Sequence, residues 1–328
     1  MPVALRSRER HIPPIMLTAL QIENFKGFSK LNIESLARVN LIVGAGNSGK
    51  TSILEAIALL PQKGGFKLPQ FRDPEFEGGS DREMWRWMTH NLSEDAVRVN
   101  GQGHDGPQIF ELAAKDQVSN LAVKLRKVRD GRTISWHPSL WTHEMKTVTT
   151  KRVGSTALAK DYDRWTRRAE NEDRFVEFLR ALEPRLKSLR PMEHTDQRLL
   201  YADVGLPERI ALPLLGEGFN RLVQIFGAII GESADIILVD EIENGLHWTA
   251  LPQVWGGIRA AIMKEEVQIF ATTHSLECIA AAVEVFKGEP KNDLAVHRLE
   301  RGQDGEIHCV TMGEDELERM LERNWEIR

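Results

Sequence analysis

The sequence predicts an α/β protein built on a largely parallel sheet and carrying a long insertion. Three observations lead there. The run Val39-Asn-Leu-Ile-Val43 is short, mostly apolar and stops at glycine, as buried strands do. From Gly218 to Thr273, strand-like and helix-like segments alternate, which implies parallel strands joined by helical crossovers. Between these regions, over 62–205, the pattern becomes mixed, Gly- and charge-rich, with isolated β-like pieces, as an inserted second lobe would be.

Taken in order, residues 1–15 read as a flexible tail, or as sequence upstream of a start at Met16. The N-terminal part of the core, 16–61, opens with an alternating strand, Leu17–Phe25, and a second one over Leu31–Leu36. The buried strand Val39–Val43 follows. Ser52–Leu60 then has apolar residues at helical spacing and is ended by Pro61. Within the insertion, Ala96–Val99, Leu121–Val128 and Arg132–Trp136 are β-like, and a helix is expected across Ala157–Leu189, interrupted near Pro184. No repeat or sustained heptad register predicts coiled-coil arms. The C-terminal part of the core, 206–328, holds a helix over Gly218–Gly231, a strand over Asp235–Asp240, a helix over Trp248–Lys264 and a strand over Val267–Thr273. Ligands of such a sheet belong at the carboxyl ends of its strands.

Composition narrows the class. An apolar fraction of 41% and a charged fraction of 28% exclude a disordered or low-complexity chain. Cys278 and Cys309 form neither a disulfide framework nor a CxxC zinc module. No uncharged apolar run approaches the roughly 18 residues of a membrane span, so the expectation is a cytoplasmic protein without a membrane partner. The net charge of −5 gives no global nucleic-acid signal, yet Leu121–Glu170 carries twelve Lys/Arg against five acids. With Trp136, Trp141 and Trp165 interleaved, that stretch reads either as a nucleic-acid site or as a solvated helix face over buried tryptophans, with an acidic protein partner as a further possibility.

The strongest chemical signal is Gly44-Ala45-Gly46-Asn47-Ser48-Gly49-Lys50-Thr51, followed by Ser52, between the buried strand and the helix. The spacing is that of a phosphate loop: backbone N–H groups turn inward toward phosphate oxygens beside the positive helix end. Lys50 adds a point charge at the β/γ-phosphates, and the Thr51 hydroxyl is a ligand for Mg²⁺. Asp240 and Glu241, where a buried strand emerges, suit a water-mediated metal contact and a general base. His274, after the next strand, should project over the same edge as Asp240 and can donate to a phosphate oxygen. His274 and Cys278 share a helical spacing but lack further ligands for a metal.

Together these stretches resemble the ABC-type ATPase heads of the SMC, RecF and OLD (overcoming lysogenization defect) group, and above all stand-alone OLD-like AAA ATPases of bacterial phage-defence operons. The likeness is carried by Ile22-Glu-Asn-Phe-Lys-Gly-Phe28, the loop 44–51, Leu215-Gly-Glu-Gly-Phe-Asn-Arg-Leu222, Ile237–His247 and Ala271–Ser275. The resemblance implies that Gly216, Glu217 and Gly218 form a signature that completes a second subunit's nucleotide site, that Glu243–His247 crosses a dimer interface, and that Lys26 approaches the nucleotide. Two departures stand out. The family's loop usually has Asn where Gly46 stands, and Gly-Glu-Gly replaces the Ser-Gly-Gly of transporters and SMC proteins, which argues against a transporter. Gln102, Gln108 and Gln117 are open candidates for the glutamine-loop residue.

Resemblance thus implies ATP and Mg²⁺ as substrate and cofactor and a homodimer with composite sites. It also implies a switch over a separately encoded effector, a nuclease or toxin, with the Toprim nuclease that full-length OLD proteins carry at their C-terminus expected on a separate chain. Asp161-Tyr-Asp163 has the D-x-D spacing of Toprim metal ligands but falls in a basic, helix-like context. The alternative is a RecF-like ATP-dependent DNA-binding repair factor, and a third reading is a scaffold that binds ATP without turning it over.

Overall fold

The computed structural model describes residues 17–60, 86–103, 106–114, 121–129, 132–135, 144–151, 153–231, 234–288 and 293–322. The expected tail, Trp136, Trp141 and Gln117 lie outside them.

A central six-stranded sheet has the order β15-β14-β3-β13-β12-β8. Its members are β3 (Val39–Gly44), β8 (Met145–Val148), β12 (Ile236–Val239), β13 (Gln268–Thr272), β14 (Leu294–Arg301) and β15 (Ile307–Met312). All neighbours run parallel except the β14–β15 pair. Pleating sends alternate side chains to opposite faces. Val39, Leu41 and Val43 of β3 and Ile237 and Val239 of β12 face one core, whereas Ile42, Ile236, Leu238 and Phe270 face another. Both faces are covered, so these strands read as continuous apolar runs in the sequence.

The second core lies against an antiparallel sheet of order β2-β1-β4-β5-β6-β7: β1 (Leu17–Phe25), β2 (Phe28–Ile33), β4 (Val97–Gly103), β5 (Gly106–Ala114), β6 (Leu121–Arg129) and β7 (Arg132–Ser135). Helix α1 (Lys50–Leu59) lies between the sheets and is buried from Ser52 to Leu59. Each large aliphatic side chain it buries is worth about 1.5–3 kcal/mol. The first core is closed by α2 (Ser155–Trp165), α3 (Ala169–Leu179), α4 (Glu217–Gly231), α5 (Leu251–Glu265), α6 (Leu276–Phe286) and α7 (Glu314–Glu322). A small sheet of β9 (Ser188–His194), β10 (Gln197–Asp203) and β11 (Ile210–Ala211) packs on α2 and α3.

Within 62–205, among the described residues, β4–β7 extend the sheet begun by β1 and β2, β8 joins the central sheet beside β12, and 153–205 form the helices and small sheet. The single helix expected across Ala157–Leu189 is two helices broken at Thr166–Arg168. Asn171 Nδ2 donates to Trp165 O at 2.8 Å and satisfies the end of α2, while Leu189 belongs to β9.

Trp165 is 6% exposed, stacks on Phe175 with ring centroids 5.9 Å apart and rests on α4 at Gly227 and Gly231. It is a core residue, which corrects the base-stacking reading of this side chain. Trp165→Ala should lower unfolding stability by about 3–5 kcal/mol, read from the urea midpoint. An unchanged midpoint would contradict the core assignment.

Asn40, buried near the start of β3, donates through Nδ2 to Ala37 O (2.7 Å) and Ile269 O (3.2 Å), while its Oδ1 accepts from Ala37 N (2.8 Å). That oxygen also faces His297 Nε2 at 3.0 Å, so the imidazole carries its proton there and accepts at Nδ1 from the Thr311 hydroxyl, 3.0 Å away. Burial pushes the His297 pKa down from 6.5 to about 4. The fold favours the neutral ring, so its full contribution is present above about pH 6.5 and is lost as pH falls toward 4, about 3 kcal/mol in all. Urea midpoints across this window should fall less for His297→Gln than for wild type; parallel curves would refute the assignment.

Candidate functional site

The phosphate loop leaves β3 at Gly44 and enters α1 at Lys50. Gly49 has φ +95°, and a Cβ there would lie 2.7 Å from the Phe28 ring, so both backbone and packing demand glycine. Gly46 is different: nothing lies within 4 Å of a Cβ built on it, so the chain itself has room for the Asn usual in the resembling family. Asn47 takes a left-handed φ of 60°, and Ser48 N–H donates to Ala45 O at 3.3 Å, curling the loop. Lys50, 6% exposed, donates to Gly44 O at 2.8 Å and Ala45 O at 2.9 Å. Burial pushes its pKa below the ordinary value, while the Glu241, Asp240 and Glu243 carboxylates push back.

Those carboxylates follow the end of β12, one strand beyond β13, the neighbour of β3. Asp240 Oδ1 accepts from the Thr51 hydroxyl at 3.0 Å and from the Thr272 hydroxyl at 2.7 Å. Thr51 and Asp240 together give the hard-oxygen pair that Mg²⁺ favours, the remaining ligands of such a site coming from phosphate and water. Glu241 is in the left-handed region at φ 48°, with its N–H donating to Thr272 Oγ1 at 2.7 Å. His274, exposed at its side chain, follows β13, and its backbone N–H donates to Glu243 Oε1 at 2.7 Å. Lys50, Thr51, Asp240, Glu241, Glu243 and His274 are thus gathered at the carboxyl edge of β3, β12 and β13. Such an edge can hold a phosphate chain against a buried ammonium, with a metal-ligating pair and a free carboxylate beside it.

Gly216 (φ +99°), Glu217 and Gly218 form the turn into α4. Their close neighbour is the 243–247 loop: a Cβ on Gly218 would lie 2.2 Å from Gly245 O. Leu214 and Trp248 flank this junction at 78% and 62% exposure.

Lys26, in the β1–β2 turn, is ion-paired with buried Glu55 of α1, and the structure does not bring it into the acidic cluster. Gln102 and Gln108 lie in β4 and β5 of the antiparallel sheet; Thr149, Thr150 and Lys151 follow β8 where it runs beside Asp240. Asp161 pairs with Arg164 and Asp163 with Arg198, and among the described residues no group of three His, Cys, Asp or Glu is arranged around a metal. Cys278 is buried, its thiol pushed up to about 12. Two members of the site escaped sequence reasoning. Thr272 is the first of two adjacent threonines before His274, and Arg221 is a lone cation in the apolar stretch of α4, where an isolated charge is itself a signal.

No helix among the described residues is long and apolar enough to cross a membrane. The family described as "AAA domain, putative AbiEii toxin, Type IV TA system" matches residues 39–280. An ATP/GTP phosphatase of Helicobacter pylori is 22% identical over 330 residues, covering 83% of this chain and 89% of that protein. DNA replication and repair protein RecF of Heliobacterium modesticaldum is 31% identical over 122 residues, 35% of this chain and 29% of that one. Among solved structures, an SMC head bound to the C-winged helix domain of ScpA superposes with a TM-score of 0.59 at 14% identity, covering 94% of this chain and 99% of that one. An Smc head domain with an extended coiled coil, bound to the C-terminal domain of ScpA derived from Pyrococcus furiosus, gives 0.58 at 12% identity with the same coverages. At these identities the likeness is one of fold, that of an ABC-type ATPase head. Since the family match takes in well over half of the chain, from β3 through the phosphate loop and both acids to α6, the protein belongs to this family of AAA-domain ATPases.

Proposed function

We propose that the chain is an ATP-driven homodimeric switch that controls a separately encoded effector, in bacterial phage defence. The observation that carries this reading is the division of parts. Lys50, Thr51, Asp240 and Glu241 share one strand edge, whereas Gly216–Gly218 packs on the 243–247 loop beside exposed Leu214 and Trp248. Two copies arranged head to tail would sandwich two ATP molecules, each held by one chain's phosphate loop and the other's signature.

In that pocket, Lys50 turns from its loop carbonyls to the β/γ-phosphates, and the loop amides hold the phosphate oxygens. Thr51 and Asp240 would hold Mg²⁺, which would supply positive charge against the phosphates. Glu241 accepts a proton from the attacking water, and His274 donates to the γ-phosphate. Developing charge is met by donors already in place.

The family's description as a toxin of a type IV toxin–antitoxin system supports an output directed at a partner molecule. The RecF matches favour a second reading, an ATP-dependent clamp on DNA; it requires DNA-stimulated ATPase activity with steep salt dependence. Light scattering of Glu241→Gln with Mg·ATP should show the mass doubling, and wild type should return to monomer as ATP is consumed. Monomers under every nucleotide condition would overturn the switch.

A further inference from the structure

Arg221 sits on α4 just beyond Gly218, among buried Leu222, Val223 and Ile225, and is 5% exposed. Its guanidinium reaches across to three backbone oxygens. One terminal nitrogen donates to Thr149 O, just after β8; the other donates to Asp240 O and, at 3.2 Å, to Glu241 O. Burial disfavours the charge, while the carboxylates of Asp240, Glu241 and Glu243 favour it. Taking a guanidinium out of water to bond neutral carbonyls is costly, and a packed apolar side chain would suit this stretch of α4 at less cost. What only the planar fork supplies is a clamp on several carbonyls at once.

The clamp closes on a strained residue. Glu241 holds a left-handed conformation, which costs a non-glycine residue about 1–2 kcal/mol. Thr272 Oγ1 takes its N–H, and Arg221 takes its C=O. With both flanking peptide groups fixed, the direction in which the Glu241 carboxylate leaves the backbone is fixed too.

We infer that Arg221 is a positioning residue: it holds the Glu241 backbone so that the carboxylate is aimed. Because its helix begins at Gly216–Gly218, it also ties the aim of one protomer's general base to the seating of that protomer's signature on its partner's nucleotide. This second half rests on the sandwich dimer proposed above. The polar niche between these parts, lined by Thr150, Glu217, Asn220, Arg221, Gln224 and Asn244, places α4, the segment after β8 and the acidic loop in one contact region.

Arg221→Met keeps an unbranched apolar stem that α4 can bury and removes the charged fork. ATP turnover should fall about 10- to 100-fold while KM for ATP changes less than about 3-fold, and ATP-dependent dimers should persist. Mixed dimers separate positioning from general damage. With Arg221→Met on one chain and Glu241→Gln on the other, activity should collapse. With both changes on one chain and a wild-type partner, about half of wild-type turnover should remain. Equal loss in both arrangements, unchanged kcat, or a risen KM at constant kcat would each overturn the inference. Should Arg221→Met fail to fold, Arg221→Lys keeps the charge without the fork and should still lower kcat about 10-fold at constant KM. If scattering finds only monomers, the dimer reading fails, yet the kcat-against-KM split of the single variant still decides the positioning role.

Discussion

Glu241→Gln should cut ATP turnover by about 10²–10⁴-fold, the usual worth of a positioned general base, with KM for ATP shifted less than about 3-fold. The amide matches the carboxylate in shape, so nothing that fixes the backbone changes: the Glu241 N–H still bonds Thr272 Oγ1 and its C=O still faces Arg221. What disappears is the ability to take a proton from water. The neighbouring acids are already engaged, Asp240 with two threonine hydroxyls and Glu243 with the His274 N–H. Phosphate release measured in a single turnover checks the prediction. A variant within about 3-fold of wild type would move the base to another group.

The parts of this site legible in the sequence are those fixed by local chemistry. A phosphate loop needs its glycines, lysine and hydroxyl at set intervals, and the apolar runs of β3, β12 and β13 announce strands buried on both faces, so Lys50, Thr51, Asp240, Glu241 and His274 could be placed at one sheet edge before any coordinates. Long-range pairing is another matter. β1 pairs with β4 across the intervening β2, β3 and α1, with Ile22 opposite Val99, a choice set by burial against α1 and not by either strand's own residues. The same limit explains Trp165, whose sequence neighbours are basic while its spatial neighbours are Phe175 and α4. It bears on Lys26 as well: the resemblance implies an approach to the nucleotide, and the pairing with Glu55 from the middle of α1 was not readable. Arg221 bonds backbone carbonyls, and Thr272 takes the Glu241 N–H while donating to Asp240; backbone partners of this kind carry no residue-type signature.

Lys50→Ala should weaken Mg·ATP binding at least about 100-fold, close to 3 kcal/mol. The site's electrostatics make the lysine decisive. Asp240, Glu241 and Glu243 all act on its ammonium, and without that cation the pocket presents three carboxylates to a polyanion. At a few ångströms, and partly out of water, each such repulsion is worth more than it would be on an open surface. Backbone amides and the end of α1 remain in the variant but supply only partial charges. The effect should be steeper without Mg²⁺, because the metal otherwise offsets the acids. Titration with a fluorescent ATP analogue, with and without Mg²⁺, checks both parts. Affinity within about 5-fold of wild type would mean that triphosphate is not held against Lys50, and the roles assigned to Glu241 and Arg221 would lose their substrate.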